Sequence, residues 1–228
     1  MVSRRKVYLH IGVAKTGTSA IQEFLFKHRD TLLRNYSILY PQSGTLGAGH
    51  HEFPLSLMPE VAERFNKIIN ANSLNKALLR EIDEKNPKIV ILSSEIFSNL
   101  PKEKINELKE IYEISPSKII CYVRRQDLIM ESNYSQAIKA YEFRFREFFQ
   151  EYLSRSLNYI DYYELLSNWK QAFPEAEIIP RIYDRKLFPE GNVILDFLSV
   201  LGIDMPEARK HKVEANPSLS HLSTLVMR

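Results

Sequence analysis

Residues His10-Ile11-Gly12-Val13-Ala14-Lys15-Thr16-Gly17-Thr18-Ser19 combine two glycines, a lysine and three hydroxyls within ten positions. Those types suit the binding of phosphate. Glycine lets backbone amides approach anionic oxygens closely. A helix N-terminus beyond the loop adds unpaired N–H groups and the positive end of a dipole. Lys15 supplies a mobile charge, and Thr16, Thr18 and Ser19 supply hydroxyl donors. A plain strand-to-helix turn capped by Thr18 would not need all of these together. A Walker A loop, G-x-x-x-x-G-K-[ST], shares the spacing of Gly12 and Gly17, but Thr18 stands where its lysine would be. Lys15 instead lies two positions before Gly17, and the apolar run at 88–93 ends in Ser93-Ser94-Glu95 rather than a magnesium-binding aspartate.

A second anion-binding constellation follows the run Lys118 to Val123. Arg124 closes that run, and Ser132 stands eight residues later in a helical stretch. A guanidinium grips phosphate with a charged fork, and the serine adds a hydroxyl donor. Arg125 is expected to face solvent. Two groups suit proton transfer. Glu95 follows the third apolar run and should emerge at the same sheet edge as the phosphate loop. His51, with His50 beside it, lies in a glycine-rich stretch that could fold over a second substrate, and imidazole is a suitable base near neutrality. His10, inside the first run, reads as a hydrogen-bonded interior histidine. No metal-ligand cluster is visible, and adjacent histidines alone do not make a zinc site.

Lys15-Thr16-Gly17-Thr18-Ser19 after a strand resembles the 5′-phosphosulfate loop of sulfotransferases that use 3′-phosphoadenylyl sulfate (PAPS). Arg124 and Ser132 resemble the family's pair for the donor's 3′-phosphate, and Tyr134-Ser135-Gln136 its continuation. Arg125-Gln126-Asp127 departs from the family's frequent proline-containing turn. Ser94-Glu95 is similar to a segment of bacterial members. The resemblance implies a three-layer αβα sandwich with a mainly parallel sheet, like the P-loop nucleoside triphosphate hydrolases. It implies sulfuryl transfer from PAPS to a hydroxyl or amine, leaving adenosine 3′,5′-bisphosphate. Lys15 would stabilise the leaving group, Thr16, Gly17, Thr18 and Ser19 would complete the donor loop, and Glu95 or His51 would be the base. The acceptor could be a carbohydrate or a lipid-linked sugar. The alternatives are a P-loop kinase or nucleotidase, and a nucleotide-binding module without catalysis.

The elements that must position these groups alternate. Strands are expected at 7–11, 37–41, 88–93, 118–123 and 176–182. Helices are expected at 18–34, in two pieces within 60–85 separated near Asn72-Ser73, and at 101–112. Others are expected from Asp127, as cap, to Tyr141, then at 145–153, 162–173 and 193–201. Continuously apolar strands between helices imply a parallel sheet covered on both faces. The 228 residues suit a single domain over the whole chain, without repeats or a linker. A net charge of +3 is too balanced for a nucleic-acid footprint. Cys121, the single cysteine, sits in an apolar run and reads as a buried structural thiol. No stretch has the roughly 18 apolar residues of a membrane helix, and the start shows no signal-peptide core. The expectation is a cytoplasmic protein, or the soluble domain of something larger. The aromatic stretch from Tyr141 to Tyr152 reads mainly as helix packing, and Arg209-Lys210-His211-Lys212 as a solvated charge run that could instead close over a nucleotide.

Overall fold

The computed structural model describes residues 5–141 and 161–211. Five parallel strands form one sheet: β1 (Lys6–His10), β2 (Ile38–Leu39), β3 (Ile89–Ser93), β4 (Pro116–Val123) and β5 (Glu177–Ile182). Their order is β2-β3-β1-β4-β5, which puts the first strand in the centre. The helices are α1 (Thr18–Lys27), α2 (Arg29–Tyr36), α3 (Glu52–Leu55), α4 (Pro59–Ala62), α5 (Ala71–Lys85), α6 (Lys102–Tyr112), α7 (Gln126–Tyr141), α8 (Tyr162–Ala172), α9 (Val193–Leu201) and α10 (Pro206–Lys210). None of the described helices is long and apolar enough to cross a membrane.

Alternation along each strand sends neighbouring side chains to opposite faces. Leu9, Leu92, Ile119 and Cys121 pack with Leu74, Leu78 and Ile82 of α5, Leu108 of α6 and Trp169 of α8. Tyr8, Ile91, Ile120 and Tyr122 pack with Ile21, Phe24 and Leu25 of α1 and with Phe197 and Leu198 of α9. Both faces are therefore covered, giving the three-layer αβα sandwich that the apolar strands imply. Cys121 is fully buried, and burial pushes its thiol up to about 12, as suits an inert core residue.

Three local expectations need correction. The first long helix breaks at His28, which ends α1 and starts α2 at φ −103° and ψ 15°. Its ring packs on Phe24 one turn earlier, at 4.5 Å between centroids, so an aromatic contact holds the bend where no glycine or proline signals one. The break within 60–85 lies before Asn70, not at Asn72-Ser73. Asn70 caps α5 by accepting from the Ser73 N–H at 2.9 Å, which places Asn72 and Ser73 inside the first turn. Asp127 does not cap α7, which begins one residue earlier; Asp127 pairs with Arg125 instead, at 2.6 Å.

Candidate functional site

The loop after β1 leaves the centre of the sheet, with β3 on one side and β4 on the other; α1, which follows it, covers one face of the sheet while α6, which follows β3, covers the other. In open α/β sheets ligands bind at such a switch point, outside the carboxyl ends of the strands. The loop first prolongs the pairing with β4: the Ile11 N–H donates to Ile120 O at 2.9 Å and the Val13 N–H to Tyr122 O at 3.4 Å. It then turns through two left-handed residues, Lys15 at φ 67° and Gly17 at φ 79°, with Thr16 between them outside that region. Such alternation curls backbone amides into an anion-binding concavity. A lysine in this conformation carries strain on the order of 1 kcal/mol, which surrounding structure must sustain.

The loop's hydroxyls divide their work. Thr16 is fully buried and donates to Val13 O at 2.5 Å, so it braces the turn rather than offering its proton to a ligand. Thr18 is buried with its methyl against Gly12; a β-carbon there would lie 2.5 Å from that methyl. Ser19 is exposed in the first turn of α1. The N-cap is Gly17, without a side-chain hydrogen bond, so no side chain caps the first turn of α1.

On the β4 side, the Arg124 guanidinium lies over the Tyr183 ring, 5.9 Å from its centre. The same ring touches the loop: a β-carbon on Gly17 would come within 2.7 Å of it. Two hydrogen bonds to backbone carbonyls fix this corner, from Tyr183 N–H to Val123 O and from Tyr162 Oη to Arg124 O, both at 2.6 Å. Ser132 is half-buried on α7, whose start lies two residues beyond Arg124. Arg125 is exposed, as expected. Tyr183 went unread in the sequence. Its signal was an aromatic residue directly after the fifth strand, at the edge where the loop emerges.

On the β3 side, the two candidate bases meet. Ser94 N–H donates to His10 O at 3.1 Å, which sets Glu95 beside the start of the loop. His51 Nδ1 lies 2.7 Å from Ser94 Oγ and 3.9 Å from Glu95 Oε2. The Gln22 carboxamide, on α1, donates to the same carboxylate oxygen at 3.0 Å. Burial lowers the His51 pKa, and the Glu95 carboxylate partly offsets that. Gln22 carries no distinctive sequence signal as a site residue, whereas Ser94 was marked only as the neighbour of Glu95. Gln22 stands one helical turn beyond Thr18, so α1 joins this cluster to the phosphate loop across a rise of about 6 Å.

His50 has a different role. Its Nδ1 accepts from the Ser93 N–H at 3.1 Å and its Nε2 faces Pro41 O at 2.9 Å, which fixes the proton on Nε2. Burial keeps it neutral, with its pKa pushed down to about 4. The glycine-rich stretch is thus anchored to the sheet, and Tyr40 Oη also donates to Ala48 O at 2.7 Å. His10 is an interior histidine, bonded to Ser93 Oγ at 2.7 Å and held down to about 3 by burial.

Arg209 pairs with Glu190 at 3.3 Å and with Asp204 at 3.2 Å. Lys212 lies outside the described residues, as do 142–160, where most of the aromatic stretch falls. Among the described residues no three His, Cys, Asp or Glu side chains form a group that could hold a metal ion.

No family model matches the chain. It is similar to a protein of Archaeoglobus fulgidus described as uncharacterized, with 64% identity over 139 residues. The match covers 61% of this chain and 37% of that relative, so this chain spans well under half of the relative's length.

Proposed function

We propose that the chain is a PAPS-dependent sulfotransferase with a P-loop-type donor site. The observation that carries this reading is the shared contact of Gly17 and Arg124 with the Tyr183 ring. It brings the second cationic group of the sequence up to the phosphate loop, so one ligand with two phosphates can engage both. Lys15 and the first turn of α1 would take the 5′-phosphosulfate, and Arg124 with Ser132 the 3′-phosphate. The cluster of His51 and Glu95 flanks the loop on its other side.

On this reading the groups divide the reaction as follows. An acceptor hydroxyl oxygen attacks sulfur and forms the new S–O bond. The bond from sulfur to the bridging phosphate oxygen breaks, and its electron pair leaves with adenosine 3′,5′-bisphosphate. Lys15 neutralises the charge that develops on that oxygen, where a fixed donor contributes most in the transition state. The acceptor's proton passes to the cluster of His51 and Glu95.

Calorimetric titration tests the donor site. Adenosine 3′,5′-bisphosphate should bind more tightly than ATP with magnesium. Arg124→Ala should weaken the bisphosphate by about tenfold to a hundredfold, the value of a charge-assisted hydrogen bond, and leave adenosine 5′-monophosphate nearly unchanged. A preference for magnesium ATP would instead mark a kinase or nucleotidase and end the sulfotransferase reading.

A further inference from the structure

The sequence offers Glu95 and His51 as rival bases, yet the fold joins them through one oxygen. We infer that His51 is the proton acceptor, through Nε2, and that Glu95 and Gln22 are positioning residues that keep its other proton on Nδ1. The catalytic part of this inference rests on the sulfuryl-transfer reading; the tautomer and its supports do not.

The hydrogen-bond inventory leads to this assignment. Ser94 Oγ accepts from the Ile96 N–H at 3.1 Å and has a lone pair left for His51 Nδ1–H at 2.7 Å. Glu95 Oε2 stands 3.9 Å from the same nitrogen, so a proton on Nδ1 faces a carboxylate and a lone pair there would oppose one. Gln22 is buried and donates to that oxygen, which keeps the carboxylate turned toward the imidazole. Nδ1 is thereby committed. Among the described residues Nε2 makes no hydrogen bond, and the side chain remains 15% exposed. Its edge packs on Gly49, where a β-carbon would lie 2.6 Å from Nε2 and 2.9 Å from Gln22 Oε1. The absence of a side chain at Gly49 thus admits His51 and Gln22 together.

Glu95 serves the imidazole through one carboxylate oxygen. Its Oε2 is occupied by Gln22 and directed at the imidazole. When the acceptor oxygen bonds to sulfur, its proton moves to Nε2, and the imidazolium so formed is stabilised by Glu95 across Nδ1–H. The other titratable neighbour, His50, is neutral and tied to backbone groups. Glu52, next in the chain, points to Lys67 at 3.5 Å.

Nitrogen-15 NMR of histidine-labelled protein reads the tautomer directly. The expected result is Nδ1–H with an unprotonated Nε2 at neutral pH, and a His51 pKa that falls further in Glu95→Gln. A neutral Nε2–H tautomer, or a pKa indifferent to Glu95→Gln, overturns the inference. Gln22→Met should shift the same pKa in the same direction by less, because the carboxylate loses its restraint and not its charge. Gly49→Ala should disturb the His51 resonances while far-UV circular dichroism stays unchanged.

Turnover of PAPS with water as acceptor supplies the catalytic arm. His51→Ala should lose at least about a hundredfold, the ordinary worth of a general base. Glu95→Gln should lose about tenfold with its acid limb moved to lower pH. Equal losses in the two variants, or a larger one in Glu95→Gln, would make Glu95 the base. Failure to bind adenosine 3′,5′-bisphosphate would remove the sulfotransferase reading while leaving the tautomer result standing.

Discussion

Two carboxylates near opposite sides of the sheet's centre are built from similar parts and behave differently. Asp196 on α9 is 1% exposed. It accepts from Tyr122 Oη at 2.6 Å and from Arg181 Nε at 3.0 Å, and its second oxygen is taken by the other arm of the same guanidinium. Glu95 is 31% exposed and, among the described residues, accepts from Gln22, with His51 nearby. The first network is closed: each partner completes another, and β4, β5 and α9 are held together. The second is open at the His51 edge. A closed polar network contributes to a unique packing, whereas an open one leaves a proton-carrying atom for a ligand. The same contrast separates His50, with both ring nitrogens spent on backbone groups, from His51, with Nδ1 alone engaged, by the Ser94 hydroxyl.

The largest effect should come from acid acting on the two buried histidines that flank Ser93. The unfolded chain protonates each imidazole near pH 6.5, whereas folded His10 and His50 resist until about 3 and about 4. Between those limits the unfolded state holds more protons, so stability is fully present above about pH 6.5 and is lost as pH falls. Two such groups amount to about 4 kcal/mol between pH 7 and pH 5. Urea unfolding at the two values measures it; equal midpoints would show that the two rings are not held neutral. Next in size, Asp196→Ala should cost about 3 kcal/mol in urea unfolding at pH 7. It leaves Tyr122 and a guanidinium unpaired, although Arg181 is exposed enough to recover some solvation.

Smaller effects belong to the open side. Lys15→Gly relieves a left-handed residue and should raise stability by a few tenths of a kcal/mol to about 1, while weakening adenosine 3′,5′-bisphosphate in calorimetry. A variant that gained stability and kept affinity would detach the loop from anion binding. Smallest of all, Glu95→Gln should change unfolding stability by less than about 0.5 kcal/mol, because the carboxamide can keep a Gln22 contact and the site reaches water. A loss as large as that of Asp196→Ala would erase the distinction between the two networks.

Much of this architecture can be read locally. Ile119 to Val123 is apolar without a break, as a strand covered on both faces must be. Gly202 ends α9 at φ 72°, where a left-handed residue stops a helix. The bend at His28 was illegible, because it depends on a ring contact rather than on a helix breaker. The loop's three hydroxyls looked equivalent in sequence, and only the turn of the backbone buried Thr16 and Thr18 and exposed Ser19.

Local chemistry is enough to establish the strands and most of the helices, the glycines and lysine of the loop, and the list of side chains able to carry charge or protons. Each of those follows from chemistry within a turn or a strand's length. The tertiary structure alone decided which of them meet. His51 reaches Ser94 across 43 residues and Gln22 reaches Glu95 across 73, because β3 lies directly beside β1 and α1 leaves that same edge. Strand order is set by how both faces of the sheet are covered together, and no local spacing encodes it.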